Sequence, residues 1–204
     1  MRTVTRDDID KEEFVNQQWF LQLVVWLEFV ANPVPNTVIE TGTHTGHGAV
    51  RFATYFDNVH TVELSEDLYN ETKSKYSHIP NINFYNNSSP EFLREILSTM
   101  EERCIIFLDA HGSGGDTVYD DRYGRYGTPL LDELSAIKES SKLNNHVIVI
   151  DDCDDLGTMS YPSANEVESA IMEINSNYCV ELDIPKSLLL SRGTGIAYLP
   201  YDEE

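Results

Sequence analysis

Short apolar runs alternate with amphipathic stretches along this chain, and the alternation predicts its elements. Near the start, Phe14, Trp19, Leu21, Val25, Trp26, Phe29 and Val30 recur at helical spacing, with Leu23 and Val24 widening the apolar face. A helix is therefore predicted from about Asp8 to Ala31, stopped by Pro33 and Pro35. Next come a strand at Thr37–Thr41, a helix at Gly46–Phe56, a strand at Asn58–Leu64 and a helix at Glu66–Tyr76. A strand through Asn83–Tyr85 follows the Pro80 turn, and Glu91–Met100 reads as a helix. Cys104–Asp109 and His146–Ile150 are continuous apolar runs of the kind found in strands covered on both faces. Between them lie a polar stretch from Ala110 to Gly127 and a helix at Pro129–Ser140. A helix at Glu166–Asn175 and a strand at Cys179–Ile184 follow. The last strand runs through Leu188–Leu190 and Gly195–Leu199, bent at Arg192-Gly193.

Such an α/β alternation implies a mostly parallel sheet, here seven-stranded, with helices on both faces. No helix separates the last two strands, so they should pair as a C-terminal antiparallel hairpin. A chain of 204 residues suits one domain with a sizeable core. Residues 36–204 form that domain, and residues 1–35 a helical extension packed on it. The extension can cover an edge or face of the sheet, act as a substrate lid, or offer a surface to a second copy in a homodimer.

Charge narrows the partners. Lys+Arg number 14 against 35 Asp+Glu, a formal net charge of −21. A field of that sign repels phosphate backbones, so nucleic acid and anionic membranes are not expected partners. Three scattered cysteines (Cys104, Cys153, Cys179) make neither a disulfide framework nor a zinc site and fit a reducing, cytoplasmic setting. Arg2 and Arg6 lead into an acidic stretch, so no signal peptide is expected. The most apolar run, Trp19 to Ala31, is too short to span a bilayer and contains Gln22 and Glu28.

The richest stretch chemically is Thr37-Val-Ile-Glu-Thr-Gly-Thr-His-Thr-Gly-His-Gly48: strand, glycine turn, helix start. It lacks the lysine of a phosphate loop, and its glycines at 42, 46 and 48 do not make G-x-G-x-x-G. What remains is Glu40 at the strand end followed by Gly42 and Gly46, in E-x-G-x-x-x-G form. This resembles motif I of the Rossmann-like S-adenosylmethionine (SAM) methyltransferases, a resemblance that extends over residues 37 to 199. It implies that Glu40 and the turn residues Thr41, Gly42, Thr43, His44 and Gly46 hold the cationic amino-acid half of SAM. Glu63, ending the second strand, would accept hydrogen bonds from the ribose hydroxyls, as strand-end acids do in nucleotide-binding Rossmann folds. Asn87 or Ser88, after the third strand, would contact adenine, while Ser89 before Pro90 reads equally well as a helix cap.

Asp109, which the resemblance also places at the cofactor, ends the fourth strand and Asp151-Asp152 the fifth. Carboxylates converging there imply a hard divalent cation or raised pKa values, unless they cap loops in a stretch that also carries Asp154 and Asp155. The arrangement resembles the metal-dependent macrocin-type O-methyltransferases, which implies Asp109, Asp151 and Asp152 as ligands of Mg²⁺. One departure is Asp109-Ala110-His111 in place of D-G-D. His111 suits a general base, since its ordinary pKa lies near operating pH, and serves equally as a hydrogen-bonded loop residue. His44 and His47 have no third ligand at metal spacing and read as loop residues near the cofactor.

Specificity is expected from the 112–127 loop. Tyr119, Tyr123 and Tyr126 offer stacking faces there, and Arg122 and Arg125 could meet a substrate carboxylate or phosphate. The resemblance implies SAM-dependent methylation of a hydroxyl on a small-molecule acceptor, a sugar or another polyhydroxylated or aromatic metabolite, Mg²⁺-assisted, with His111 or Asp109 taking the proton. The rival readings are a different enzyme on the same sheet and a non-catalytic SAM-binding protein.

Overall fold

The structure, a computed structural model, describes residues 17–31, 33–112, 118, 120–124, 127–158, 160–184 and 193–200. Its seven strands are β1 (Thr37–Thr41), β2 (Asn58–Glu63), β3 (Ile82–Asn86), β4 (Ile105–Leu108), β5 (Val147–Ile150), β6 (Cys179–Ile184) and β7 (Thr194–Tyr198). They form one sheet in the order β3-β2-β1-β4-β5-β7-β6. The first five are parallel. β7 runs antiparallel to both β5 and β6, so the expected hairpin is present with its second strand on the inside. The helices are α1 (Gln17–Val30), α2 (His47–Tyr55), α3 (Glu66–Tyr76), α4 (Ser89–Thr99), α5 (Leu130–Ser140) and α6 (Ala164–Ile174). The predicted start of the first helix, between Asp8 and Asn16, and the predicted strand residues Leu188–Leu190 with the bend at Arg192 lie outside the described residues.

Period-two alternation sorts the strand residues between two cores. Val38, Val59, Ile105, Phe107, Val147 and Val149 face α1 and α2. Ile39, Val62, Ile106, Leu108, Ile148 and Ile150 face α4, α5 and α6. β4 and β5 are buried at every residue, which is why their sequences show no polar alternation. Phe52 of α2 joins three elements through edge contacts, with its ring 5.8 Å from Phe20 and 5.2 Å from Phe107. α1 packs into this same core through Leu23 and Leu27, while Leu21, Val25 and Phe29 are exposed on its other side. Among the described residues, no helix is long and apolar enough to cross a membrane.

Strand order reverses between β1 and β4: β2 and β3 continue one way, and β5, β7 and β6 the other. The loops at the carboxyl ends of β1 and β4 diverge there, leaving the crevice in which open α/β sheets bind ligands.

Two substitutions measure how the fold is held. Phe52→Ala should lower the unfolding free energy by about 3–5 kcal/mol, as expected for a large buried aromatic. Ser163→Ala, which breaks the capping box with Glu166 at the start of α6, should lower it by only about 1 kcal/mol. Urea unfolding monitored by circular dichroism reads both.

Candidate active site

The turn after β1 is built over a buried carboxyl group. Glu40, 2% exposed, accepts a 2.6 Å hydrogen bond from Thr61 Oγ1 on β2, and Thr61 in turn bonds the Thr43 hydroxyl at 2.6 Å. Gly48, in the first turn of α2, lies so close that any Cβ there would sit on Glu40 Oε1. Gly42 has φ +84°, and a Cβ on it would come within 2.7 Å of the Asp109 carbonyl oxygen, so the β1 and β4 loops touch through this glycine. Burial raises the Glu40 pKa to about 8 against the pull of Thr61 and Arg51. Glu40 thus sits beneath the turn, held by Thr61, rather than on the wall of the cavity described below.

Glu63 is placed differently. Its Oε2 accepts from the backbone N–H of His44 at 2.8 Å and its Oε1 from that of Ser65 at 2.9 Å. The first bond helps to hold His44 at φ 47°, an unusual conformation for a residue with a Cβ, and Thr72 Oγ1 bonds the His44 carbonyl at 2.9 Å from the other side. Each Glu63 oxygen keeps a further lone pair for a ligand.

A cavity of about 210 Å³ opens at the switch point. Of the residues expected to bind cofactor, Gly42, His44, Glu63, Asn87, Ser88 and Asp109 line it. Glu40, Thr41, Thr43 and Gly46 do not; they form the underside of the turn, where Thr41 Oγ1 accepts from the Asp109 N–H at 3.2 Å. At the nucleoside end of the expected site, Asn87 Oδ1 accepts from the Ser88 N–H at 2.9 Å. The Ser88 hydroxyl is buried with no hydrogen-bond partner. His111, Asp120 and Tyr123 line the opposite wall. Tyr123 donates to Asp132 Oδ2 at 2.5 Å, and Arg122 is clamped by both oxygens of Asp120, so this arginine is already paired. Tyr119, Arg125 and Tyr126 lie outside the described residues.

At the acidic end, the structure brings together Asp109, His111 and Asp152, one ligand-type atom from each lying within 4.8 Å of the others. Asp151 is not in this group. It lines a much smaller cavity, of about 10 Å³, whose walls include Glu133 and Tyr161. Asp152 takes a left-handed conformation, φ 53° and ψ 31°, before a 3-10 turn at Cys153–Asp155. Loss of water contact, then Asp151, Glu40, Asp152 and Glu133 in turn, push the Asp109 pKa well above the usual carboxylate range.

Glu133 on α5 escaped the sequence reading. It is 1% exposed and bonds the hydroxyls of Ser89 and Thr41, tying the start of α4 to the end of β1. Burial raises its pKa to about 7. The signal was present: Glu133 falls between Leu130, Leu134 and Ile137 on the apolar face of the helix, where an acid needs partners. At the other end of the strands, buried His146 contacts Cys104 Sγ at 3.2 Å, but burial lifts the thiol to about 12 and drops the imidazole to about 4. That pair is inert packing, not a nucleophile and its base.

Glu40 and Glu133 bind protons more tightly folded than unfolded. The stability they contribute is therefore complete below their ordinary value of 4.5 and is lost as pH rises through about 7 for Glu133 and 8 for Glu40. In urea unfolding across this range, wild type should lose stability relative to Glu40→Gln steadily between about pH 5 and 8, then no further.

No protein-family model matches the chain, and no curated sequence does. Solved structures match in fold. An O-methyltransferase from Bacillus cereus, solved with S-adenosylhomocysteine (SAH), is similar over 96% of this chain and 84% of its own, with 16% identity and a TM-score of 0.55. TomG, an O-methyltransferase from Streptomyces achromogenes involved in tomaymycin synthesis and solved with SAM, is similar over 91% of this chain and 80% of its own, with 12% identity and a TM-score of 0.53. Streptomyces venezuelae DesVI is similar over 98% of this chain and all of its own, with 12% identity and a TM-score of 0.57. The chain therefore has the Rossmann-like methyltransferase fold, with a cavity of about 210 Å³ at the crevice where that fold's strand order reverses.

Proposed function

We propose that this protein is a SAM-dependent methyltransferase that acts on a hydroxyl group of a small molecule. The observation that carries the reading is Glu63: a buried carboxylate, fixed by two backbone N–H groups, at the wall of the switch-point cavity. The unpartnered Ser88 hydroxyl in the same wall fits a ligand with polar edges, such as adenine. Two of the similar structures, O-methyltransferases solved with SAH and SAM, support the oxygen acceptor.

In this reading Glu63 accepts the ribose hydroxyls, Asn87 and Ser88 meet the base, and Gly42 and His44 leave backbone against the amino-acid half. Bound SAM would supply a methyl group activated by its sulfonium. The chain's own task is then alignment and proton removal. Asp109 and His111 stand at the acceptor end and take the proton there. Glu63 on the cavity wall suits a cationic cofactor better than a phosphorylated one. Free, buried Cys104 and Cys153 suit a cytoplasmic setting.

Calorimetry with SAM and SAH tests the cofactor. Glu63→Ala should raise both dissociation constants at least about tenfold, the worth of one hydrogen bond to a charged group. Absence of binding by wild type would remove the reading and leave the fold. In a screen of hydroxylated acceptors followed by SAH release, His111→Asn should lower kcat by about a hundredfold or more with SAM affinity unchanged. SAM binding without turnover on any acceptor would favour a regulatory protein on the same fold.

A further inference from the structure

We propose that Asp109, His111 and Asp152 form a mixed nitrogen–oxygen site for a divalent transition metal of the Mn²⁺, Fe²⁺ or Co²⁺ class, in place of the three-aspartate Mg²⁺ set that the sequence suggested. The argument begins with the tautomer of His111. Its Nδ1 lies 3.2 Å from the Asp109 carbonyl oxygen, and a carbonyl can only accept, so Nδ1 carries the hydrogen. In the neutral ring Nε2 then keeps a lone pair, and the atom it faces, at 3.5 Å, is Asp152 Oδ2, so that a cation between them would be held by both. Metal-binding histidines are held in this way, with the second ring nitrogen donating to a carbonyl or carboxylate that fixes the ring.

The spacing suits a metal of that size. Neighbouring ligands of a six-coordinate ion with bonds of about 2.1 Å lie about 3.0 Å apart, and opposite ones about 4.2 Å. The 3.5 Å contact and the 4.8 Å limit on all three ligand atoms need only small side-chain shifts to meet those values. Asp152 is nearly buried and Asp109 partly exposed, so the site is walled on the protein side and open toward the large cavity.

The donor set then decides the ion. Mg²⁺ favours oxygen ligands and holds its water tightly, whereas an imidazole nitrogen favours later first-row metals. Asp151 lies outside this group of three and lines the small cavity with Glu133. Glu133 Oε1, buried and without a partner, belongs to that same small cavity, which Asp109 and His111 also line. The acidic shell behind the site favours a dication over a neutral occupant. When His111 is a ligand, its Nε2 is not the proton acceptor.

The test uses the full chain stripped with a chelator, with neither SAM nor acceptor present, so its outcome is independent of the methyl-transfer reading. Pulsed electron paramagnetic resonance of added Mn²⁺ should show coupling to a directly bound imidazole nitrogen, absent in His111→Asp. Titration should give Co²⁺ a preference over Mg²⁺ that shrinks about tenfold or more in His111→Asp, because that variant supplies an all-oxygen set. Asp152→Asn should weaken Mn²⁺ at least about tenfold. Asp151→Asn should keep the nitrogen signature, and unchanged circular dichroism confirms that each variant is folded. Bound Mn²⁺ without nitrogen coupling, a Co²⁺ to Mg²⁺ ratio unmoved by His111→Asp, or no metal bound by wild type would each overturn the proposal.

Discussion

A carboxyl group without water governs the architecture of the site. Glu40 ends the central strand beneath the glycine turn, and its Thr61 bond, its contact with Gly48 and its distance from solvent set how α2 leaves the sheet. No larger residue than glycine fits where α2 starts over it. The strand on the other side, β4, is equally constrained, because its carbonyl at Asp109 meets Gly42 at van der Waals limits. Two glycines, Gly42 and Gly48, thus fix how closely the elements on either side of the turn approach each other.

The fold was legible because burial leaves different marks on different strands. β4 and β5 are covered on both faces and read as unbroken apolar runs. β2 ends in Glu63 at the place a strand-end acid takes in nucleotide-binding sheets, and the structure puts it on the cavity wall. Glu40 was less legible. A strand-end acid can point up into the crevice or down under the turn, and the position of Gly48 decides between them.

The acidic end shows a second limit. Asp151 and Asp152 are adjacent, and strand alternation sends neighbours to opposite faces, so a metal set using both would need a turn that brings them together. Instead Asp151 lines the small cavity, while Asp152, in a left-handed conformation, joins Asp109 and His111. Glu133 could have been found, since an acid on an apolar helix face has to be satisfied by something. Its partners, Ser89 and Thr41, come from elements distant in the sequence, and only the fold supplies them.

The position of β7 has a consequence for how the chain assembles. β6 reaches the sheet only through β7, which lies inside it and closes the edge of β5. During synthesis the segment Val147–Ile150 emerges well before the strand that will cover its flank, leaving a flat apolar edge with free backbone groups, the kind on which strands of other chains pair. β6 emerges next and has no place to dock. Closure of this side of the sheet therefore waits on the five residues of β7, which pair with β5 and β6 at once.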